Sequence, residues 1–374
     1  MIETLALDSI EAIESSHWNR LRFEGSGPGE LEDWFYLRAL ERARLPGFRF
    51  VYFIVREGAR LLAAAPAFFT DYRLDTTVSG ALKRITKATT KLLPRLLRIP
   101  MLALGSPVTE RCGIGFDPVA SDAERTQWLD AIITRMEALA VREGVQMLAI
   151  KDAPESDALW ARVLPRHGLR AMPGLPGATL DLPYSDLDGY FASLGSATRK
   201  DLRRKWRAAS GLQIEWRSDL DGVRDEVMRL YRATLSSAEF QFEELNAAYF
   251  ENVLREMPGR AFCVTYAEGG KLLAFNLVLQ DSARLLDKFF GADENAHEHY
   301  NLYHVSWLEN VRHCIARAIP VYESGQGLHQ EKVRLGSRLQ ANNLWYRHRN
   351  RFVDSVFARV DRLARMDGNE AQCA

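Results

Sequence analysis

The chain has 374 residues with 49 basic and 49 acidic side chains, so its formal net charge is zero and no whole-molecule field selects nucleic acid or acidic surfaces. That length exceeds what one core fills and makes two domains the expectation. A content of 47% hydrophobic and 26% charged residues excludes disorder and fibrous repeats, and four scattered cysteines (Cys112, Cys263, Cys314, Cys373) exclude a disulfide framework or a thiolate zinc site.

At the N-terminus Glu3, Asp8, Glu11 and Glu14 stand where a secretory signal needs a basic start and an apolar run. No stretch reaches the roughly 18 apolar residues of a spanning helix, so a cytoplasmic protein is expected. From Phe50 to Asp71 the runs FVYFIV and LLAAAPAFF flank Glu57-Gly58-Ala59-Arg60, which predicts a β-hairpin. Between Thr76 and Thr109, Lys83, Arg84, Lys87, Lys91, Arg95 and Arg98 meet no acid and alternate with leucines. This basic amphipathic segment, about 80–100, reads as a peripheral anchor on an anionic inner membrane face, with a solvated helix packed on its lobe as the plainer reading. A helix over 121–143, a strand over 145–150 and a helix near 154–164 complete an α/β lobe spanning 1–176. MPGLPGATLD, Met172 to Asp181, reads as a connector leading into a strand.

The second lobe, 177–374, opens with a basic run, Arg199 to Arg207, and the strand LQIEW. Helices over 220–235 and 245–257 follow, then strands 261–266 and 271–279 around Glu268-Gly269-Gly270 and a third strand 284–290. The pattern closes with a helix 300–317, a short strand Val321 to Glu323 and a last strand Asn343 to His348. Each lobe has a hairpin leading to a helix and a strand, the pattern of two copies of one fold.

Four segments carry a resemblance: YFASLGSATRKDLRRKWR (Tyr190 to Arg207), AFNLVL (Ala274 to Leu279), FFGAD (Phe289 to Asp293) and YESGQGLHQEKVRLGS (Tyr322 to Ser337). Together they resemble the GCN5-related N-acetyltransferase (GNAT) superfamily, in its tandem branch of FemAB-like and CelD-like proteins. Within that branch the run AFNLVL…DKFFGAD…YNLYHVSWLENVR…LGSRL…YRHRN looks most like bacterial ceramide synthases. The resemblance implies an α/β fold of tandem GNAT-like, acyl-CoA N-acyltransferase-like lobes, with mixed β-sheets flanked by helices. It also implies an N-acyltransferase moving a fatty acyl group from a thioester donor, acyl-CoA or acyl carrier protein, to a long-chain lipid amine such as a sphingoid base. The alternatives are a FemAB-like cell-wall or polysaccharide aminoacyl- or acetyltransferase, and a non-catalytic membrane-associated binding protein. No further cofactor, no metal and no nucleic acid partner is expected. Asp293 to Tyr300 contains no glycine, so the glycine-rich pyrophosphate turn of ordinary members is missing here.

N-acylation needs a base for the ammonium, a donor for the oxyanion and an acid for the leaving group. Charged residues in apolar runs are the candidates: Asp287 in LLDKFF, Glu323 at a strand end and Glu243 beside Phe242. Asp287 could equally face water on an alternating strand. Of His297, His299, His304 and His313, which lack metal-ligand spacing, His299 is the candidate base; Tyr300 and Tyr303 are candidate acids. No nucleophile elbow or Cys–His pair occurs, so direct attack by the amine is expected. For the donor, Arg199, Lys200, Arg203 and Arg204 at i, i+4 spacing and the turn Gly325-Gln326-Gly327 with Lys332 and Arg334 are candidates. A plain structural turn at Gly325 to Gly327 reads equally well.

Overall fold

The computed structural model describes residues 1–23, 30–73, 98–237 and 242–355. In chain order the first elements are β1 (Ile2–Leu7), α1 (Ser15–Asn19), β2 (Arg22–Phe23), α2 (Trp34–Ala43), β3 (Phe48–Glu57), β4 (Arg60–Arg73), β5 (Arg98–Leu104), β6 (Gly115–Phe116), α3 (Asp122–Arg142), β7 (Met147–Pro154), α4 (Ala158–Val163) and β8 (Arg170–Pro173). Then come β9 (Gly177–Asp181), α5 (Leu187–Ser193), α6 (Ser196–Ala208), β10 (Gln213–Arg217), α7 (Arg224–Ser237), α8 (Ala247–Glu256), β11 (Ala261–Glu268), β12 (Lys271–Gln280) and β13 (Arg284–Ala292). The chain continues with α9 (Glu294–Tyr300), α10 (Leu302–Ala316), β14 (Val321–Gly325), α11 (His329–Arg334), β15 (Arg338–Gln340) and β16 (Asn342–His348).

Local sequence explains several boundaries. Ser121 and Glu124 form a reciprocal capping box that starts α3, and Gly144 at φ 70° follows its end in the left-handed region that L side chains avoid. Asp33 caps α2 by accepting from the Phe35 and Tyr36 amides. Gly58 at φ 57° turns the β3–β4 hairpin.

Contacts divide the chain into two units. The first is Met1–Glu24, Gly47–Gly174 and Ala341–Ala374; the second is Gly25–Pro46 and Leu175–Gln340. The sequence reading has one boundary near 176, whereas the chain crosses between units four times. Strand pairing accounts for the last crossing, since β16 completes the first sheet, antiparallel to both β7 and β8, and helix packing accounts for the first two, since α2 meets α8 through Tyr36 and Tyr249.

The first unit's main sheet runs β1-β3-β4-β5-β7-β16-β8, with β6 joining β2 to β4. The second runs β10-β11-β12-β13-β14-β9-β15. Both are mixed α/β sheets, each with its own buried core. In the second unit β13 and β14 pair in parallel only at Arg284 with Val321, Leu285 with Tyr322 and Leu286 with Glu323, after which they part. Opposite β12 the register jumps from Leu277–Phe289 to Val278–Asp287, which makes Lys288 the extra residue of a β-bulge. No helix of the described residues is long and apolar enough to cross a membrane.

Candidate functional site

The bulge decides what β13 shows to each side. Lys288 lies 5.4 Å from the Tyr36 ring of α2, and Phe289 packs on Tyr231 of α7 and Tyr249 and Phe250 of α8. Two successive side chains therefore share one face. Asp287 and Phe290 face α10 instead, through Asn310 and Tyr303.

Around Asp287 is a buried polar group that sheet and helix build together. Asn276 of β12 donates its amide to Asp287 Oδ1 (2.6 Å) and to the Phe289 carbonyl (3.2 Å). The Tyr322 hydroxyl donates to Asp287 Oδ2 at 3.0 Å. Asn310 Nδ2 lies 2.9 Å from Asn276 Oδ1, 3.1 Å from the Tyr322 hydroxyl and 3.5 Å from Asp287 Oδ2. Asn276 and Asn310 are fully buried. Inside a core such groups persist only when they satisfy one another, and here their donors converge on one carboxylate. Burial, and then the Asp287 charge, push the Tyr322 phenol well above its ordinary value, so it stays protonated.

Two buried atoms of this cluster are left over. The Tyr303 hydroxyl and Asn310 Oδ1 make no hydrogen bond among the described residues. An unpaired buried polar atom is costly, and a substrate group is one partner that removes the cost. Burial first, then the charges of Asp287 and Glu331, raise the Tyr303 pKa, so this phenol too is a donor at neutral pH. Beside it the next residue, His304, bonds Glu331 at 2.7 Å and meets Lys205 at 3.1 Å, while Lys205 pairs with Asp201 at 2.8 Å. Burial, aided by Lys205 and opposed by Glu331, lowers the His304 pKa.

Of the expected catalytic residues, Asp287 lies near enough to Tyr303 of α10 for its charge to raise that phenol, and the others do not join them. Glu323 follows Tyr322 in an alternating strand, so it turns to the opposite face, where it sits 3.6 Å from buried Arg284, itself 3.1 Å from Glu30. His299 is exposed and meets the Tyr300 ring edge-on at 4.5 Å. Tyr300 hydrogen-bonds Glu268 at the end of β11. Glu243 lies near the Tyr231 hydroxyl, which accepts from the Leu245 amide, and adds to the burial that pushes Tyr231 up to about 12. Asp287, His299 and Glu323 therefore do not line one cleft, because strand alternation separates the two acids.

Most expected donor-binding cations already hold protein partners. Arg199 donates to the Ala192 carbonyl (3.3 Å), Arg203 pairs with Asp188 (2.7 Å), Arg204 with Asp201 (2.9 Å) and Arg334 with Glu331 (2.5 Å); Lys200 is exposed. The turn adopts positive φ at Gly325 (77°), Gly327 (88°) and Leu328 (48°). Its carbonyls converge on Lys332, which is 3% exposed and donates Nζ to Ser324 (2.5 Å), Gly325 (2.9 Å) and Gln326 (3.3 Å). Gln326 donates to the Leu175 carbonyl at 2.9 Å. Lys332 is thus an internal clamp, and α11 is too short to act as an anion-binding helix terminus. Of the expected membrane residues, Lys83, Arg84, Lys87, Lys91 and Arg95 lie outside the described residues; Arg98 is exposed and opens β5 opposite Arg73, on a strand rather than a helix.

Sequence reasoning missed Asn276, Asn310 and Tyr322. Asn276 interrupts the apolar run AFNLVL, which is the signal that marks a buried polar group.

Comparison with known proteins agrees with this architecture. Among solved structures, FemX superposes with a TM-score of 0.60 at 12% identity, over 95% of this chain and 99% of that one. A tandem GNAT protein from the clavulanic acid biosynthesis pathway gives 0.53 at 13% identity over 93% and 98%. The C-terminal domain of a putative lysylphosphatidylglycerol synthetase from Agrobacterium fabrum gives 0.51 at 14% over 79% and 85%. These likenesses fix the fold as tandem GNAT-like. No curated protein sequence is similar enough to count as a match. The FemAB-like family model, described as peptidoglycan biosynthesis/recognition, matches residues 9–365, nearly the whole length. This is an enzyme that transfers an acyl or aminoacyl group, and the chain belongs to the FemAB-like family.

Proposed function

We propose that this protein joins an aminoacyl or short acyl group to the amine of a cell-wall or polysaccharide acceptor, and that the chemistry runs beside Asp287 in the second unit. What carries the reading is the family match over residues 9–365. The polar cluster where β13 and β14 part supplies a matching chemistry. The amine nitrogen attacks the carbonyl carbon of an activated ester or thioester and forms the C–N bond. As the tetrahedral intermediate collapses, the C–O or C–S bond breaks and the departing atom takes a proton. Tyr303 is the donor for that atom or for the oxyanion, since its hydroxyl is protonated and has no hydrogen-bond partner among the described residues. Asn276, Asn310 and Tyr322 hold Asp287 in place as the negative group that draws in the ammonium and takes its proton, which frees the nitrogen lone pair for the attack.

A lipid amine acceptor, with a sphingoid base as the narrower case, is the second reading. One fold relative is named as a lysylphosphatidylglycerol synthetase, so the architecture occurs in a protein named for a lipid product. The test offers purified protein a matrix of donors (aminoacyl-tRNA, acetyl-CoA, palmitoyl-CoA, acyl carrier protein thioester) and acceptors (a cell-wall peptide amine, an amino sugar polymer, a sphingoid base), with amide products read by mass spectrometry. An amide on the cell-wall or polysaccharide amine supports the first reading. Product on the sphingoid base alone replaces it with the second, and no amide from any pair overturns both.

A further inference from the structure

In the second unit the described residues with large, exposed apolar side chains are Leu175 (51%), Leu328 (63%), Val333 (50%) and Leu339 (42%). They share one neighbourhood. His329, next to Leu328, bonds the Pro176 carbonyl, Gln326 bonds the Leu175 carbonyl, and Leu339 pairs with Ala178 between the edge strand β15 and β9. Val333 and Leu328 belong to α11 and its N-terminal flank, and Arg334 of α11 reaches Asp201 of α6 at 3.6 Å.

Helix α6 brings charge to this apolar edge. Arg199, Lys200, Arg203, Arg204, Lys205 and Arg207 stand on it against Asp201 alone. Asp188 offsets part of this by holding Arg203, and beside the helix Asp181 holds Arg338 and Glu331 holds Arg334. Lys200 and Arg207 are exposed, and their i, i+7 spacing puts them on one side of the helix. The backbone on either side of Leu328 and Val333 is braced: Lys332 ties three carbonyls of the preceding turn, and the Leu335 carbonyl accepts from the buried Tyr190 hydroxyl.

We propose that this face of the second unit, α6 with α11 and the β9–β15 edge, docks on an anionic lipid surface. A bilayer interface is an occupant that takes both features at once, apolar side chains among the acyl chains and cations among the phosphates. A second copy of the chain would set one cationic α6 against another across a two-fold axis, which like charges oppose. The chain's zero net charge makes this attraction local to the face.

The experiment is sedimentation of the full chain with phosphatidylcholine vesicles and with vesicles of three parts phosphatidylcholine to one part phosphatidylglycerol, at low and high salt. Binding is expected to the anionic vesicles at low salt, with release by salt. Leu328→Asp with Val333→Asp should weaken it at least tenfold, and Lys200→Glu with Arg207→Glu by about fivefold or more per cation removed; circular dichroism checks that both variants fold. No binding by the wild type, or full binding by both variants, overturns the proposal. So does binding that vanishes in Lys83→Glu/Lys87→Glu/Lys91→Glu yet survives Leu328→Asp/Val333→Asp, or a wild-type dimer that Leu328→Asp/Val333→Asp dissolves without any vesicle binding.

Discussion

Replacing Tyr303 by phenylalanine removes one oxygen and separates a chemical role from a structural one. The hydroxyl is buried and makes no hydrogen bond among the described residues, so its loss breaks no contact there. An unsatisfied buried hydroxyl costs about 1–3 kcal/mol, hence Tyr303→Phe should be as stable as the wild type or more stable by up to that amount. The ring contacts with Phe290 (6.1 Å) and Trp307 (6.4 Å) remain. If the phenol serves the leaving atom or the oxyanion, turnover should fall roughly 100- to 1,000-fold, about 3–4 kcal/mol on the barrier. Tyr322→Phe is the control. Its hydroxyl donates to Asp287 (3.0 Å) and lies 3.1 Å from Asn310, so its loss should destabilise the second unit by about 1–3 kcal/mol. The assay pairs amide formation on the accepted donor and acceptor with denaturant unfolding of each variant. A Tyr303→Phe enzyme that turns over within about threefold of wild type, or that loses as much stability as Tyr322→Phe, refutes the reasoning.

Three further outcomes follow from the same contacts. Lys332→Met should lower second-unit stability by about 2–4 kcal/mol, because three carbonyls lose a charged donor; a shift under about 0.5 kcal/mol in urea titration would show that the clamp is not stabilising. Gly291→Ala places a Cβ 2.5 Å from Phe275 Cε1, so the buried ring must move at a cost of about 1–3 kcal/mol, and unchanged thermal unfolding would contradict the packing. His313 stacks on Trp216 at 3.7 Å, and burial with the Arg317 charge pushes its pKa down to about 4. The unfolded chain therefore binds the proton first, and stability should fall as pH drops from about 6.5 to about 4. His304, also lowered, acts in the same direction. His313→Gln should flatten this slope, and an identical slope in the variant would remove His313 from the account.

Comparing sequence and structure shows what each level holds. The period-2 runs and glycine turns read as the β3–β4 and β11–β12 hairpins, the helix over 121–143 is α3, and the alternation of strands and helices gives the α/β class. These are short-range matters, fixed by side chains within a few residues of one another. The resemblance over Tyr190 to Ser337 likewise implies the transferase class of chemistry.

Tertiary pairing decided the rest. Nothing within Asn342–His348 tells the strand to join β7 and β8 rather than its own neighbours, because a strand's partner is chosen by the whole sheet. The bulge at Lys288 shifts the register of β13 after Asp287, which no local pattern announced, and it sets which β13 side chains look at α10. Alternation then sends Tyr322 towards Asp287 and Glu323 towards Arg284, so of two plausible acids it is Asp287 whose charge acts on Tyr303. The sequence by itself determined the two hairpins, the longer helices, the fold class and the kind of chemistry. Only the tertiary structure decided which side chains share that chemistry, because their meeting depends on strand register and on residues far apart in the chain.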